Sequence, residues 1–327
     1  MSGIEDEVEQ LCASIDALRG TIARRFLGHR RVVDLLLYTV LADGHALLES
    51  PPGLGKTTLV STLAAALDLD FRRIQFTPDL MPADVIGMRV LEEDERGRRS
   101  FVQHRGPLFT NVLLADEINR ATPRTQAALL EAMQERQVTL FDETEQLERP
   151  FLVIATQNPV EMEGTYPLPE AQLDRFLTRI DIESPSERAL VDILAATTGE
   201  APEPIESGLN REELLRAQAL VRELPISTAL LGRVAATIRR TDPKEPRSPE
   251  VVRSSVRFGA SPRGGQAIVL LAKARALLEG RLHVIDEDIE LVAAPALRHR
   301  LILSFEGEAR GVRADDLIEA ALAATKS

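Results

Sequence analysis

The 327-residue sequence has no tryptophan, two tyrosines, one cysteine and an aromatic content of 4%. So few aromatics leave little material for the platforms on which single-stranded bases stack. The lone Cys12 excludes an intrachain disulfide and a cysteine-based zinc site; in register with Val8, Leu11, Ile15 and Leu18 it reads as part of the buried face of an amphipathic helix. No apolar run approaches the roughly eighteen residues of a membrane-spanning helix, and the acidic opening MSGIEDEVEQ lacks the apolar centre of a signal peptide. A reducing, cytoplasmic setting is the expectation. Positive charge is also in deficit, 39 basic against 51 acidic residues for a net charge of -12, which repels nucleic acid phosphates over most of the surface.

What is present is apolar content of 44% in a chain long enough for two domains. Up to Ile182, short apolar runs alternate with helical patterns, the mark of a parallel sheet wrapped by helices. The strands expected are HALL (His45 to Leu48), RRIQF (Arg72 to Phe76), NVLLAD (Asn111 to Asp116), FLVIAT (Phe151 to Thr156) and TRIDI (Thr178 to Ile182). Two further stretches, near residues 88 to 104 and 137 to 150, read as hairpin insertions available for partner contact. The fold class expected is therefore α/β, a five-stranded parallel sheet over residues 1–184 with two hairpins, followed by a small all-helical domain over 185–327. Its helices are marked by Asn210 with Glu213, Ser227, Ser261 before Pro262, and Asp286 as caps. DLMPADVIG reads as a packed helix facing the first hairpin.

The stretch LLESPPGLGKTTL sits between an apolar run and a helical pattern, the strand-loop-helix setting in which backbone N–H groups converge on phosphate. Pro52, Gly53, Leu54, Gly55, Lys56, Thr57 and Thr58 form the expected cradle for ATP. The glycines allow positive φ and close approach, Lys56 bridges β- and γ-phosphate, and Thr57 offers its hydroxyl to Mg²⁺. Ser50 stands where the pattern has its first glycine, a departure harmless only if its backbone is not at positive φ. NVLLADEIN ends a buried strand in two carboxylates: Asp116 for a metal-bound water, Glu117 to orient and deprotonate the attacking water. Asn158 follows the next strand, where its amide can bond a water and a γ-phosphate oxygen. Arg175, just before the last strand, is placed to reach a neighbouring subunit's nucleotide, and Arg263, in the first turn of a helix of the second domain, to touch the same phosphates from above.

With these residues in hand, the sequence resembles the MoxR family of AAA+ ATPases. The strings that carry the resemblance are LLADEINRATPRTQAALLEAMQERQVTL, VIATQNPVEMEGTYPLPEAQLDRF, GASPRGGQ and LRHRLILS, spread over nearly the whole chain. The resemblance implies a P-loop AAA+ core with a helical lid, in a ring that is usually hexameric. It assigns Lys56 and Thr57 to Walker A, Asp116 and Glu117 to Walker B, Asn158 to sensor 1, Arg175 to the arginine finger and Arg263 to sensor 2. It implies ATP and Mg²⁺ as ligands, and a chaperone-like role towards a protein client or a partner with a von Willebrand A domain, sometimes in metal or cofactor insertion. Gly28-His29 stands where the family commonly has Gly-Gln near the base, so an adenine contact falls on that pair.

Three functions are carried forward: an ATP-hydrolysing ring that remodels a protein, an ATP-gated scaffold with little turnover, and a nucleic acid motor. Only Ser50 points to the second. Net charge and the acidic FDETEQLER argue against the third, although RGRR (Arg96 to Arg99) with His104-Arg105 forms a local basic cluster, offset by Glu92, Glu93, Asp94 and Glu95.

Overall fold

The computed structural model describes residues 2–93, 97, 99–140, 143–158, 164–199, 205 and 208–326. Arg96 and Arg98 of the basic cluster, with Asp94 and Glu95, lie outside the described residues. Two N-terminal helices, α1 (Ser2–Arg25) and α2 (Arg30–Leu41), precede the sheet. The central sheet takes β1 (Ala46–Glu49) and β2 (Phe71–Gln75), joined by α3 (Lys56–Ala66). After α4 (Pro82–Ile86) comes the hairpin of β3 (Gly87–Glu93) and β4 (Arg99–Arg105). The chain then re-enters the sheet at β5 (Val112–Asp116). Helix α5 (Pro123–Glu135) leads to the second hairpin, β6 (Gln137–Leu140) and β7 (Glu143–Gln146). The sheet closes with β8 (Leu152–Gln157) and, after α6 (Glu170–Leu173), β9 (Thr178–Asp181). Five strands pair in parallel in the order β2-β5-β8-β1-β9. Each expected strand is found within one residue of its expected ends, and both hairpins are antiparallel.

The sheet is buried on both faces, which is why its strands read as continuous apolar runs. Side chains alternate across it: Val112, Leu114, Leu152 and Ile154 enter one core with the N-terminal helices, while Leu113, Ala115, Val153 and Ala155 enter another with Leu129, Met133 and Phe176. Along α1, Val8, Leu11, Ile15 and Leu18 are buried, and the half-buried Cys12 thiol donates to Leu277 O at 3.0 Å. Helix α4 packs on α5 and at the foot of the first hairpin, burying Val85 while Met81 stays exposed.

The C-terminal region is built of α7 (Glu187–Thr198), α8 (Arg211–Glu223), α9 (Thr228–Arg240), α10 (Glu250–Ser255), α11 (Pro262–Leu278), α12 (Asp286–Leu297), α13 (Phe305–Ala309) and α14 (Ala314–Ala323). A short antiparallel pair, β10 (Val256–Phe258) with β11 (Ile302–Leu303), is threaded among them. Asn210 and Glu213 form a reciprocal capping box, and Ser227 Oγ accepts from Leu230 N. Two caps differ from expectation. Asp286 lies inside its helix, and the Asp288 carboxylate accepts the Ile285 N–H instead. Ser261 occupies the cap position, but its hydroxyl donates to Asp174 at 3.3 Å. One apolar core runs without a break from Val8 through β1 and α11 to Leu322.

Candidate nucleotide site

Parallel strands bring their C-terminal ends to one edge of the sheet, and three expected site segments meet there. Ser50 N donates to Gln157 O at 3.3 Å, tying the phosphate loop to the segment that ends in Asn158. Gly53 and Gly55 have φ of 82° and 74°, and nothing lies within 4 Å of where a Cβ on Gly53 would stand. The loop is thus an open cradle in a conformation that side chains disfavour. Ser50 is buried and is not among the positive-φ residues, so a side chain fits its backbone. Helix α3 starts at Lys56 with Gly55 as its cap and no side chain capping its first turn, which leaves first-turn N–H donors turned to the loop. Lys56 Nζ reaches back to Ser50 O at 3.4 Å, and Thr57 follows in the same first turn.

Asp116 ends β5 and Glu117 turns out of the strand in the left-handed region, φ 55° and ψ 49°. Thr156 on the adjacent β8 holds both: its hydroxyl donates to Asp116 Oδ1 at 2.6 Å and accepts from Glu117 N at 2.8 Å. The carboxylates are also engaged from β2. Arg73 donates to Asp116 Oδ2 at 2.6 Å, and Gln75 donates to Glu117 Oε2 at 2.7 Å, an oxygen that Arg120 also reaches at 2.8 Å. Asn158 is buried at the tip of β8. The donor set, an ammonium, backbone N–H groups, a threonine hydroxyl and two carboxylates, suits a phosphorylated nucleotide with a hard divalent cation, for which Thr57 and Asp116 could offer oxygen ligands. Among the described residues there is no cluster of three or more His, Cys, Asp or Glu side chains able to hold a metal alone. Sequence reasoning missed Arg73, Gln75 and Thr156; the alternation VIATQN puts Thr156 two residues before Asn158, a signal for the same strand tip.

Gly28 and His29 lie on this side too. The Phe26 ring is 3.6 Å from the Cβ position of Gly55 and 5.2 Å, centroid to centroid, from the His29 ring. Gly28 has no room for a side chain, because a Cβ there would be 2.7 Å from that of Ala189 in α7. A polar cavity of about 310 Å³ opens beside them, lined by His29, Arg31, Asp181, Glu183 and Arg298 among others. Burial lowers the His29 pKa, with Glu183 opposing the shift.

Arg175 and Arg263 are elsewhere. Leu177 N donates to His45 O, and Thr178 aligns with Ala46, so Arg175 lies at the N-terminal edge of the sheet, below the start of β1. The four residues of β1, roughly 13 Å, separate it from the loop. Arg263 joins it there, 3.7 Å from Asp174, and both line a cavity of about 310 Å³ with Arg136, Arg222 and Arg300. Arg263, expected to touch the same phosphates as Arg175, has its first turn at the edge opposite its own chain's loop, because α11 packs on α2 and starts beside α6. LRHRLILS supplies the bolt. Arg300, 3% exposed at its side chain, donates to Asp174 Oδ1 at 2.7 Å, Asp174 O at 3.0 Å and Phe176 O at 2.7 Å, while His299 Nε2 is 3.0 Å from Phe176 O. Arg298 bridges Asp181 at 2.9 Å and Asp315 at 3.0 Å.

A family model described as ATPase family associated with various cellular activities (AAA) matches residues 45–178, and an AAA lid domain model matches residues 249–321. Over 320 residues the chain is 41% identical to Chaperone MoxR1 of Mycobacterium tuberculosis, covering 96% of this chain and 83% of that protein. It is 35% identical over 317 residues to Protein MoxR of Methylorubrum extorquens, covering 91% of each. A crystal structure from Cytophaga hutchinsonii, described as that of a candidate ATPase, matches with a TM-score of 0.91 at 37% identity, covering 98% of this chain and 97% of that one. No helix among the described residues is long and apolar enough to cross a membrane.

Proposed function

The chain belongs to the MoxR family of AAA+ ATPases, and on that premise we propose that it hydrolyses Mg-ATP at a site completed by a second copy, using turnover to remodel a protein client. The observation that carries this reading is the division of the candidate groups. The loop, Asp116, Glu117 and Asn158 share one edge of the sheet, and Arg175 and Arg263 share the other. Two arginines at the far edge serve phosphate only across a subunit boundary, so a head-to-tail ring with a nucleotide in each joint satisfies both halves.

In this mechanism the loop N–H groups and Lys56 hold the β- and γ-phosphates of ATP. Asn158 orients the attacking water, and Glu117 accepts its proton after exchanging Gln75 and Arg120 for that water. Thr57 and Asp116 would hold Mg²⁺, which when bound would neutralise phosphate charge. Arg175 and Arg263 of the adjoining subunit neutralise charge that grows on the γ-phosphoryl oxygens. Gly28 and His29 border the base. We assign the nucleotide-binding unit to residues 1–184 and the lid to 185–327, with the hairpins moving against a client as the joint tightens and relaxes. A hexamer, a cytoplasmic setting, and a client that carries a von Willebrand A domain or receives a metal or cofactor rest on the family resemblance. The scaffold reading loses its one support, because Ser50 is not in the conformation that demands glycine.

The test is steady-state Mg-ATP hydrolysis across a dilution series, with Glu117→Gln and Arg175→Ala alone and mixed. Specific activity should rise with protein concentration and fall about a hundredfold or more in each variant. Mixing the two inactive proteins should restore part of it, since some joints then pair an intact Glu117 with an intact Arg175. Activity independent of dilution, or an Arg175→Ala protein with full turnover, would refute the shared site.

A further inference from the structure

Helix α7 has an apolar face that no other described residue covers. Val191 is 60% exposed, Leu194 54% and Leu190 45%, and none of the twelve residues of the helix is fully buried. Leu190 and Leu194 are one turn apart with Val191 beside them, forming a ridge that a lone chain leaves in water. Glu187 lies on the same face one turn earlier. The same chain also has a vacant apolar groove. Between α9 and α11, Leu231, Val234, Ala235, Ile238, Val269 and Leu270 line a depression of about 760 Å³, and Leu231 at its lip is 42% exposed.

Ridge and groove lie beside the two separated halves of the nucleotide site. The ridge helix touches the loop side, where Ala189 closes against Gly28. The groove adjoins the arginine side, sharing Arg222, Gln266 and Leu270 with the cavity that holds Arg175 and Arg263. A chain cannot bring its own ridge to its own groove, yet when Arg175 of one copy meets the loop of the next, the ridge of that next copy comes to the groove of the first. Charge agrees with this pairing: Glu187 on the ridge can meet the rim residue Arg222, whose side chain is 60% exposed and whose guanidinium lies 4.0 Å from Asp43.

We propose that the ridge of Leu190, Val191 and Leu194 on one subunit seats in the α9–α11 groove of its neighbour, a second copy of this chain, as a heterologous contact that locks the joint over the nucleotide. The proposal rests on the shared-site reading above. The ridge from Leu190 to Leu194 rises about 6 Å along α7, so it fills about one turn's length of the groove beside α9, which has 13 residues. Because the surfaces differ, the contact propagates head to tail and closes only as a ring.

The experiment pairs cross-linking with subunit mixing, on the full chain in a Cys12→Ser background. Leu194→Cys with Leu231→Cys in one chain, oxidised in the presence of Mg-ATP, should give a ladder of covalent oligomers on a denaturing gel, absent from either single variant. Separately, Leu190→Asp with Leu194→Asp breaks the ridge, and Ala235→Arg fills the groove. Each protein should need at least tenfold more protein to assemble than the unaltered chain. Their mixture should stop at a dimer, the one pairing with an intact ridge and an intact groove. All these ridge positions are exposed, and an unchanged melting temperature and circular dichroism spectrum confirm that the fold is kept. If the unaltered chain assembles while the cysteine pair gives no ladder and the ridge variant assembles equally well, the groove takes another occupant, such as an apolar client segment, and the proposal is overturned with the ring intact. If the unaltered chain stays monomeric at every concentration with Mg-ATP, the ring reading falls first and this contact with it.

Discussion

Thr156 is the side chain that sets both carboxylates at once. Fully buried, its hydroxyl donates a hydrogen bond to Asp116 and accepts one from Glu117 N–H, which fixes the left-handed turn that aims Glu117 out of the strand. Thr156→Val keeps the volume and removes both bonds, a loss of about 1–3 kcal/mol that should appear as a roughly tenfold or greater fall in kcat with KM changed little. Equal kcat in the valine variant would show that the strand alone holds the turn. Arg73 acts in the other direction: its ion pair with Asp116 competes with the cation for that carboxylate. Since the Arg73 side chain is 46% exposed, its removal is worth only about 0.5–1 kcal/mol, so Arg73→Ala should lower the Mg²⁺ concentration for half-maximal ATPase about two- to fivefold. An unchanged or raised Mg²⁺ requirement would sink this. Lys56, Asp116, Glu117 and Asn158 were legible in the sequence because each sits at a fixed offset from a glycine loop or a strand end. Arg73 and Gln75 were not, because their partners depend on β2 lying beside β5, a pairing no local pattern encodes.

At the level of elements, the strands were legible to within a residue because burial on both faces leaves apolar runs bounded by polar ends. The α9–α11 groove and the bare face of α7 were not, since periodicity shows that a helix has an apolar face but not whether another element covers it. The edge to which Arg263 is carried was not legible for the same reason: its place at the start of a helix was clear, but the packing of that helix on α2 was not. The phosphate loop permits a direct check. With Ser50 away from positive φ, its side chain imposes no strain, and Ser50→Gly should leave ATP affinity within about twofold. Affinity that rose tenfold would mean the loop is strained by the serine after all. The lid contact offers another. Arg300 joins α12 to the segment carrying Arg175 through charged and backbone bonds, and its side chain is almost wholly buried. Arg300→Met removes a donor from the Asp174 carboxylate and from the backbone carbonyls of Asp174, Phe176, Leu177 and Ala296, so a loss of about 3 kcal/mol in unfolding free energy is expected. It should be accompanied by reduced turnover in mixtures where this subunit supplies Arg175. Unfolding midpoints and mixed-ring turnover read the two effects separately.

For the molecule as a whole, the edge that presents the arginines is fastened by two histidines that must be neutral. His45 is enclosed between strands, its Nδ1 accepting from Val153 N at 3.0 Å and its Nε2 donating to Met133 O at 3.1 Å; burial pushes its pKa down to about 4. His299, beside Arg300, is shifted well below its ordinary value by burial and then by that guanidinium. Both are ordinary imidazoles once the chain unfolds, with pKa near 6.5. Between pH 6.5 and about 4 the unfolded chain therefore binds more protons than the folded one, so stability is whole above this window and declines as pH falls through it. At pH 5, His45 alone accounts for about 2 kcal/mol. Glu49 and Asp34, raised by burial, act oppositely and offset part of this at the acid end. Urea midpoints should fall between pH 7.5 and 5, and the His45 ring resonance should not titrate in that range. Since His45 O holds Leu177 N and His299 faces Phe176 O, the loss should be felt first at the edge bearing Arg175. Amide exchange at Leu177, corrected for its intrinsic pH dependence, should then rise at pH 5 relative to amides of β5. Equal change at both places, or a His45 ring that titrates near 6.5, would place the acid sensitivity elsewhere in the molecule.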